Sequence, residues 1–128
     1  MTIEDPGYSI ATDGVFTVDS ASSLEGMILP GPGTTSAQTY GGAVTLVGDT
    51  TLGNASGGSV TFDSTVNGGH GLTVGEAATY DGAVGGSTAL SQVTDINGTT
   101  LGASVTTSGR QTYSGAVSLG ANTTLTST

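Results

Sequence analysis

Gln38-Thr-Tyr40-Gly-Gly-Ala43-Val44-Thr-Leu46 returns 73 residues later as Gln111-Thr-Tyr113-Ser-Gly-Ala116-Val117-Ser-Leu119, and the copies stay in step to Asp49-Thr-Thr-Leu52 and Asn122-Thr-Thr-Leu125. Within each copy an apolar side chain alternates with a hydroxyl, as in Val44-Thr-Leu46. The same alternation marks Val60-Thr-Phe62 and Leu72-Thr-Val74. Period two is the signature of a strand with one buried face, and Thr, Val and Tyr are residue types that strands favour. No window places apolar residues at three-and-four spacing and Gly interrupts every stretch, so helix is excluded and the chain reads as all-β.

Weaker copies lie between the two strong ones: Phe62-Asp-Ser-Thr-Val66 and Tyr80-Asp-Gly-Ala83-Val84. The aromatic residues at 40, 62, 80 and 113 are 22, 18 and 33 residues apart, and leucines follow at Leu52, Leu72, Leu90 and Leu125. A step of roughly 18 to 22 residues suits one coil of a β-solenoid, in which successive coils stack at the strand spacing of ~4.8 Å. Six coils would give a rod of about 30 Å, with the 33-residue step holding an irregular or re-registered coil. A β-sandwich is the alternative, because short strands with frequent turns look alike locally. Self-similarity favours the solenoid, since sandwich strands need not resemble one another.

Composition agrees with a narrow rod. Of 128 residues 23 are Gly, 34% are hydrophobic and 5% aromatic, so the core must be thin. Such a composition is shared with disordered chains, but the ordered alternation of apolar residues argues for folding. Ten carboxylates stand against one Arg, one His and no Lys, for a net charge of −9. With Arg110 as the only permanent cationic side chain, the protein cannot neutralise a nucleic-acid backbone or hold an anionic membrane surface. The absence of Cys removes disulfides and zinc-thiolate sites. Met1 to Gly7 carries Glu4 and Asp5 and no basic residue, which does not read as a signal peptide. Met27-Ile28-Leu29, the longest apolar run considered, is too short to span a bilayer, so no membrane insertion is expected.

The units Gln38-Thr-Tyr40-Gly-Gly-Ala43-Val44-Thr-Leu46, Gly85-Gly-Ser-Thr-Ala89-Leu90 and Gln111-Thr-Tyr113-Ser-Gly-Ala116-Val117-Ser-Leu119 resemble the β-strand repeats of large bacterial surface proteins, the filamentous-haemagglutinin-like and autotransporter-like adhesins. The resemblance covers residues 34–128. It implies a right-handed parallel β-helix stalk, extracellular or at the bacterial cell surface, with no catalytic residues. This chain departs from such proteins in having only a few repeats.

Residues 1–33 differ from the repeats and hold all three prolines and both methionines. They read as a cap or strand-donating extension: Val15-Phe-Thr-Val18 as a strand, Leu24 with Met27-Ile28-Leu29 as a cover for an open end, and Pro30-Gly-Pro-Gly33 as the lead into the repeats at 34–128. At the other end Asn122-Thr-Thr-Leu125-Thr-Ser-Thr128 stops partway through a unit. A bare coil edge recruits further strands, so end-to-end self-association between this coil and the N-terminal segment is the expected partnership.

Residues that carry chemistry are few. His70 sits in a turn-like Gly-rich stretch and Arg110 precedes a strand, where it is expected to pair with an acid. A metal site at His70 would need carboxylate partners from other coils, and Arg110 could clamp a carboxylate or sugar, but both read as structural or surface residues. Asp49, Asp63, Asp81 and Asp95 read as turn residues. Where corners of successive coils stack, some of these carboxylates would form a Ca²⁺-binding column, the one cofactor the pattern suggests. The calcium-binding nonapeptide of β-rolls is absent. Catalytic, cofactor and metal assignments are therefore none, and the reading is of a non-enzymatic structural protein. The alternative is a secreted carbohydrate-binding or carbohydrate-active β-helix module. Asn54-Ala-Ser56, Asn97-Gly-Thr99 and Asn122-Thr-Thr124 match the glycosylation triplet but read as turns. The apolar-Thr-apolar strands allow one Thr column, too little for an ice-binding face.

Overall fold

The computed structural model describes residues 1–3, 9–12, 15–30, 37–53 and 57–128. Its strands are β1 (Thr2–Ile3), β2 (Ser9–Thr12), β3 (Phe16–Val18), β4 (Ser22–Pro30), β5 (Ala37–Tyr40), β6 (Val44–Leu52), β7 (Ser59–Phe62) and β8 (Val66–Asn67). They continue as β9 (Gly71–Val74), β10 (Ala77–Tyr80), β11 (Gln92–Asp95), β12 (Thr99–Leu101), β13 (Val105–Thr107), β14 (Gln111–Tyr113), β15 (Val117–Leu119) and β16 (Leu125–Ser127). No helix occurs among the described residues. Every strand pairing among the described residues is parallel and joins one coil to the next. A sandwich of antiparallel hairpins is thereby ruled out, and the fold is a parallel β-solenoid.

Each coil passes through three faces. The first holds β1, the leading halves of β4 and β6, then β8, the bridge at Val84, β13 and β16. The second holds β2, the trailing halves of β4 and β6, then β9, β11 and β14. The third holds β3, β5, β7, β10, β12 and β15. Both β4 and β6 run through two faces, and a register shift between Leu24 and Gly26 marks the bend. On the third face, register partners advance by 22, 22, 18, 21 and 18 residues. The rod has about five turns, one fewer than the repeat spacing suggested, for a length of about 24 Å at the strand spacing. The described residues of the N-terminal segment join the same ladders. Leu24 and Ile28, read from sequence as an end cover, are buried within the second coil against β6.

Alternation in the strands becomes columns along the axis. Val18, Tyr40, Phe62, Tyr80 and Leu101 stack inside the third face, all of them buried. Phe16 meets Tyr40 edge-on at 6.1 Å, and Tyr40, Phe62 and Tyr80 stack at 5.4 and 5.0 Å. Such pairs contribute about 0.5–1.5 kcal/mol each beyond their buried area. The first face supplies Val44, Val66, Val84 and Val105, and the second Ile28, Leu52 and Val74. The leucines that follow the aromatic positions in sequence are dispersed over the columns. Leu52 and Leu72 occupy different columns of the second face, Leu125 belongs to the first, and Leu90 bridges Thr107.

The strong repeat is also out of phase with the coils. Gln38-Thr-Tyr40 lies on the third face and Val44-Thr-Leu46 on the first, whereas Gln111-Thr-Tyr113 lies on the second and Val117-Ser-Leu119 on the third. The offset of 73 residues is one face short of four coils. What the motif encodes is a strand, a glycine corner and a strand, and that unit fits any adjacent pair of faces. The 33-residue aromatic step has the same origin: Leu101 takes the aromatic position above Tyr80, and Tyr113 stands on another face.

Glycine corners set the coil-to-coil distance. A Cβ on Gly42 would lie 2.3 Å from the carbonyl carbon of Ser20, and one on Gly82 would lie 2.3 Å from that of Ser64. Both contacts are with the backbone, which cannot swing aside. A Cβ on Gly69 would meet nothing within 4 Å. Gly82→Ala should therefore cost roughly 1–3 kcal/mol through overpacking, and Gly69→Ala should fall within about 0.5 kcal/mol of the parent, as read from urea denaturation midpoints. Equal effects would contradict the stacking described.

Candidate functional site

The columns do not close at the C-terminal end of the described structure. Leu101 and Val105 are almost wholly buried, yet their register partners in the last coil, Leu119 and Leu125, are 62% and 48% exposed. Val117, over buried Thr99, is 42% exposed. These residues point along the inward columns and present them as an apolar surface flanked by the unpaired edges of β14, β15 and β16. The last coil is nonetheless tied to the one beneath it: Ser114, Gly120 and Thr128 donate backbone N–H bonds to the carbonyls of Asp95, Leu101 and Thr107.

Two inward Gln-Tyr pairs satisfy polar groups in this thin core. Tyr40 donates its hydroxyl to Gln38 Oε1 at 3.1 Å, and Gln38 Nε2 donates to the Ile28 carbonyl at 3.2 Å. Tyr113 and Gln111 repeat the first bond at 3.1 Å, and Gln111 Nε2 donates to the Thr126 carbonyl at 2.8 Å. The motif therefore carries its own hydrogen bonding onto whichever face it occupies. Burial pushes the Tyr40 hydroxyl well above its ordinary range, so it stays a donor at any physiological pH.

Asp95 is the residue whose place the sequence reading missed. It lies in β11, inside the second face, in the column that continues Leu52 and Val74 and is followed by Tyr113. It is fully buried. Tyr80 donates to its Oδ1 at 2.9 Å and Thr99 to its Oδ2 at 3.0 Å. Burial pushes the Asp95 carboxyl up to about 6, against the opposing effect of those two hydrogen bonds. The Tyr113 hydroxyl, half-buried above it, is pushed up to about 12, chiefly by burial and then by the Asp95 charge. Tyr80 moves in the same direction, first by burial and then by Asp95. A simple signal could have located Asp95: in Gln92-Val-Thr-Asp95 the alternation that sends Val93 inward sends Asp95 inward too.

Of the four aspartates read as turn residues, two share a corner. Asp63 and Asp81 occupy the same corner of successive coils, and their backbone N–H groups donate to Tyr40 and Phe62 respectively. Asp49 lies on another corner, where its Oδ1 accepts from the Gly71 N–H at 2.7 Å, and Asp95 is in the core. No cluster of three or more His, Cys, Asp or Glu that could hold a metal ion occurs among the described residues. His70 is part-exposed and its carbonyl accepts from Ser91, while Arg110 is exposed and its carbonyl accepts from Val93. No ion pair reaches Arg110 among the described residues. Asn97 donates from its side chain to the Gly75 carbonyl at 3.1 Å, consistent with a corner role. Asn122 is exposed, and Asn54 lies outside the described residues.

The outward hydroxyls form two columns where one was expected. Thr17, Thr39, Thr61, Thr79 and Thr100 run along the third face. Thr51, Thr73, Thr94 and Thr112 run along the second. Each face carries a single such column.

Comparison with known proteins returns no match: no family model, no curated protein and no solved structure.

The two Gln-Tyr pairs differ in burial, and that difference is measurable. Gln38→Leu leaves a buried Tyr40 hydroxyl without its acceptor and should cost about 1–3 kcal/mol. Gln111→Leu, in a half-exposed coil that water reaches, should cost clearly less. Denaturant titration of both variants checks the order, and a reversed order would contradict the hydrogen bonding described.

Proposed function

We propose that this chain is a non-enzymatic structural rod that works outside the cell, as a stalk segment of a bacterial surface adhesin or as a subunit of a self-assembling filament. The observation that carries this reading is the exposure of Val117, Leu119 and Leu125 in columns that are otherwise buried. A further coil laid on them extends every column and every ladder, so the geometry favours growth along the axis. In a stalk that coil belongs to the same polypeptide; in a filament it comes from another copy. The resemblance of the Gln-Thr-Tyr-x-Gly-Ala-Val units to adhesin repeats supports the stalk form.

Energetics point the same way. Covering three partly exposed apolar side chains contributes on the order of 1 kcal/mol each. Micromolar association of free chains takes about 8 kcal/mol after the entropic cost of docking. A tethered coil escapes most of that cost. The acidic surface, lacking Lys altogether, keeps neighbouring rods from packing side by side.

Adding one coil of the Gln-Thr-Tyr-Ser-Gly-Ala-Val-Ser-Leu type after Thr128 should raise the thermal midpoint by several degrees, roughly as nearest-neighbour coupling in a repeat array requires. Leu119→Asp should cancel the gain. An unchanged midpoint would overturn the growing-rod reading. Electron microscopy at the highest attainable concentration decides the filament form, which uniformly monomeric particles would exclude.

A further inference from the structure

We propose that Asn97 is a self-modification site: its side-chain amide is lost to attack by the Gly98 nitrogen, which leaves aspartate or isoaspartate at a corner of the rod, while Asn67, in the same dipeptide sequence, is held unreactive by the fold. Asn67-Gly68 and Asn97-Gly98 are the two Asn-Gly pairs of the chain. A glycine nitrogen is the least hindered nucleophile that the backbone offers an asparagine, because no side chain stands beside it. Sequence alone makes the two pairs equivalent, and the structure separates them.

Asn67 lies at the end of β8, paired with Thr45. Its Oδ1 accepts from the backbone N–H groups of Ser87 and Thr88 at 2.9 and 3.2 Å. The Gly68 N–H donates to the Thr88 carbonyl at 3.3 Å, and a Cβ on Gly68 would lie 2.2 Å from the Leu46 carbonyl oxygen. Both the electrophile and the nucleophile are thus committed to neighbouring coils. Asn97 is exposed at the bend between β11 and β12. One side-chain bond holds it, from Nδ2 to the Gly75 carbonyl at 3.1 Å. The Gly98 N–H donates to no partner among the described residues.

In the reaction the Gly98 nitrogen loses its proton to solvent base and attacks Asn97 Cγ. The new C–N bond closes a cyclic imide, the bond to Nδ2 breaks, and that nitrogen leaves as ammonia. Water then opens the imide at either carbonyl, giving a side-chain carboxylate or, where the main chain now runs through Cγ, isoaspartate. The second product matters for the fold, since it adds a methylene to the backbone at a crowded corner. A Cβ on Gly115 would lie 2.3 Å from Gly98 N and 2.7 Å from Gly98 Cα, so the next coil rests on this segment. On either side of it, Thr99 donates its N–H to the Ala116 carbonyl and Ser114 donates to that of Asp95. Lengthening the segment separates those partners, and the modification loosens one coil-to-coil contact in an otherwise unchanged rod.

Ageing the whole chain in mildly alkaline buffer, folded and in urea, followed by peptide mass spectrometry, tests this. In urea both pairs should convert at similar rates. When folded, three hydrogen bonds hold the Asn67 pair and one holds the Asn97 pair, so Asn67 should react on the order of 30-fold more slowly. Hydrogen exchange at Thr99 and Ser114 should lose protection in step with isoaspartate formation, while Gly41 and Asp63, whose N–H groups bond between other coils, keep theirs. Asn97→Gln retains an amide but must close a larger, slower-forming ring, and ageing should leave its protection unchanged. The conversion rates of the unmodified chain do not depend on that variant folding. Folded Asn97 as slow as folded Asn67, or conversion that leaves Thr99 and Ser114 protected, would each overturn the assignment.

Discussion

The structure rests on one steric condition: the backbone of a coil can lie on the next only where the corner between two strands carries no side chain in the way. Gly42 rests on Ser20 and Ala21, and Gly82 on Ser64 and Thr65, at distances that leave no room for a methyl group. Once the corners meet, the strands on either side are brought to ladder distance and every inward residue falls above the inward residue of the coil below. Parallel pairing, columns and the aromatic stack follow from that contact. Its price is chain entropy, since glycine loses more freedom on folding than other residues, and the ladders and the column of Tyr40, Phe62 and Tyr80 offset it.

The strands and their inward faces were legible because period-two alternation survives in a single sequence. Val60-Thr-Phe62 and Leu72-Thr-Val74 read correctly without any knowledge of their neighbours, and parallel stacking followed from the self-similarity. Face and register were less accessible. A motif of strand, corner and strand is satisfied by any two adjacent faces, so Gln38-Thr-Tyr40 and Gln111-Thr-Tyr113 look equivalent in sequence while standing on different sides of the rod. Leucine spacing misled for the same reason, because corners of different length shift a residue from one column to another. The N-terminal boundary drawn from proline and methionine content reflects composition, whereas β3 pairs with β5 and β4 with β6 across it.

The polar residues show how far a thin core depends on hydrogen bonding. With few large apolar side chains, some inward positions fall to Gln38, Thr50, Asp95, Thr99 and Thr107, all buried. Thr50 donates to the Leu24 and Gly48 carbonyls, and Thr107 to the Gly109 carbonyl. Reading Asp residues as turn formers succeeded for Asp63 and Asp81 and failed for Asp95, because residue type was weighed above position in the alternation. An inward carboxylate is legible from phase, and its partners Tyr80 and Thr99 are not, since both stand on the third face and Tyr80 belongs to the coil below.

Stability in a solenoid is close to a sum over neighbouring coils, and a terminal coil has one neighbour where an inner coil has two. Aliphatic Leu52 and Val74 occupy the second-face column in the middle of the rod, and the acid enters that column one coil from the described end. The inner column of the third face changes in the same direction, from Tyr40, Phe62 and Tyr80 to Leu101 and then exposed Leu119. A coil laid over β14 to β16 would bury Leu119 and Leu125 and continue the columns of Leu101 and Val105.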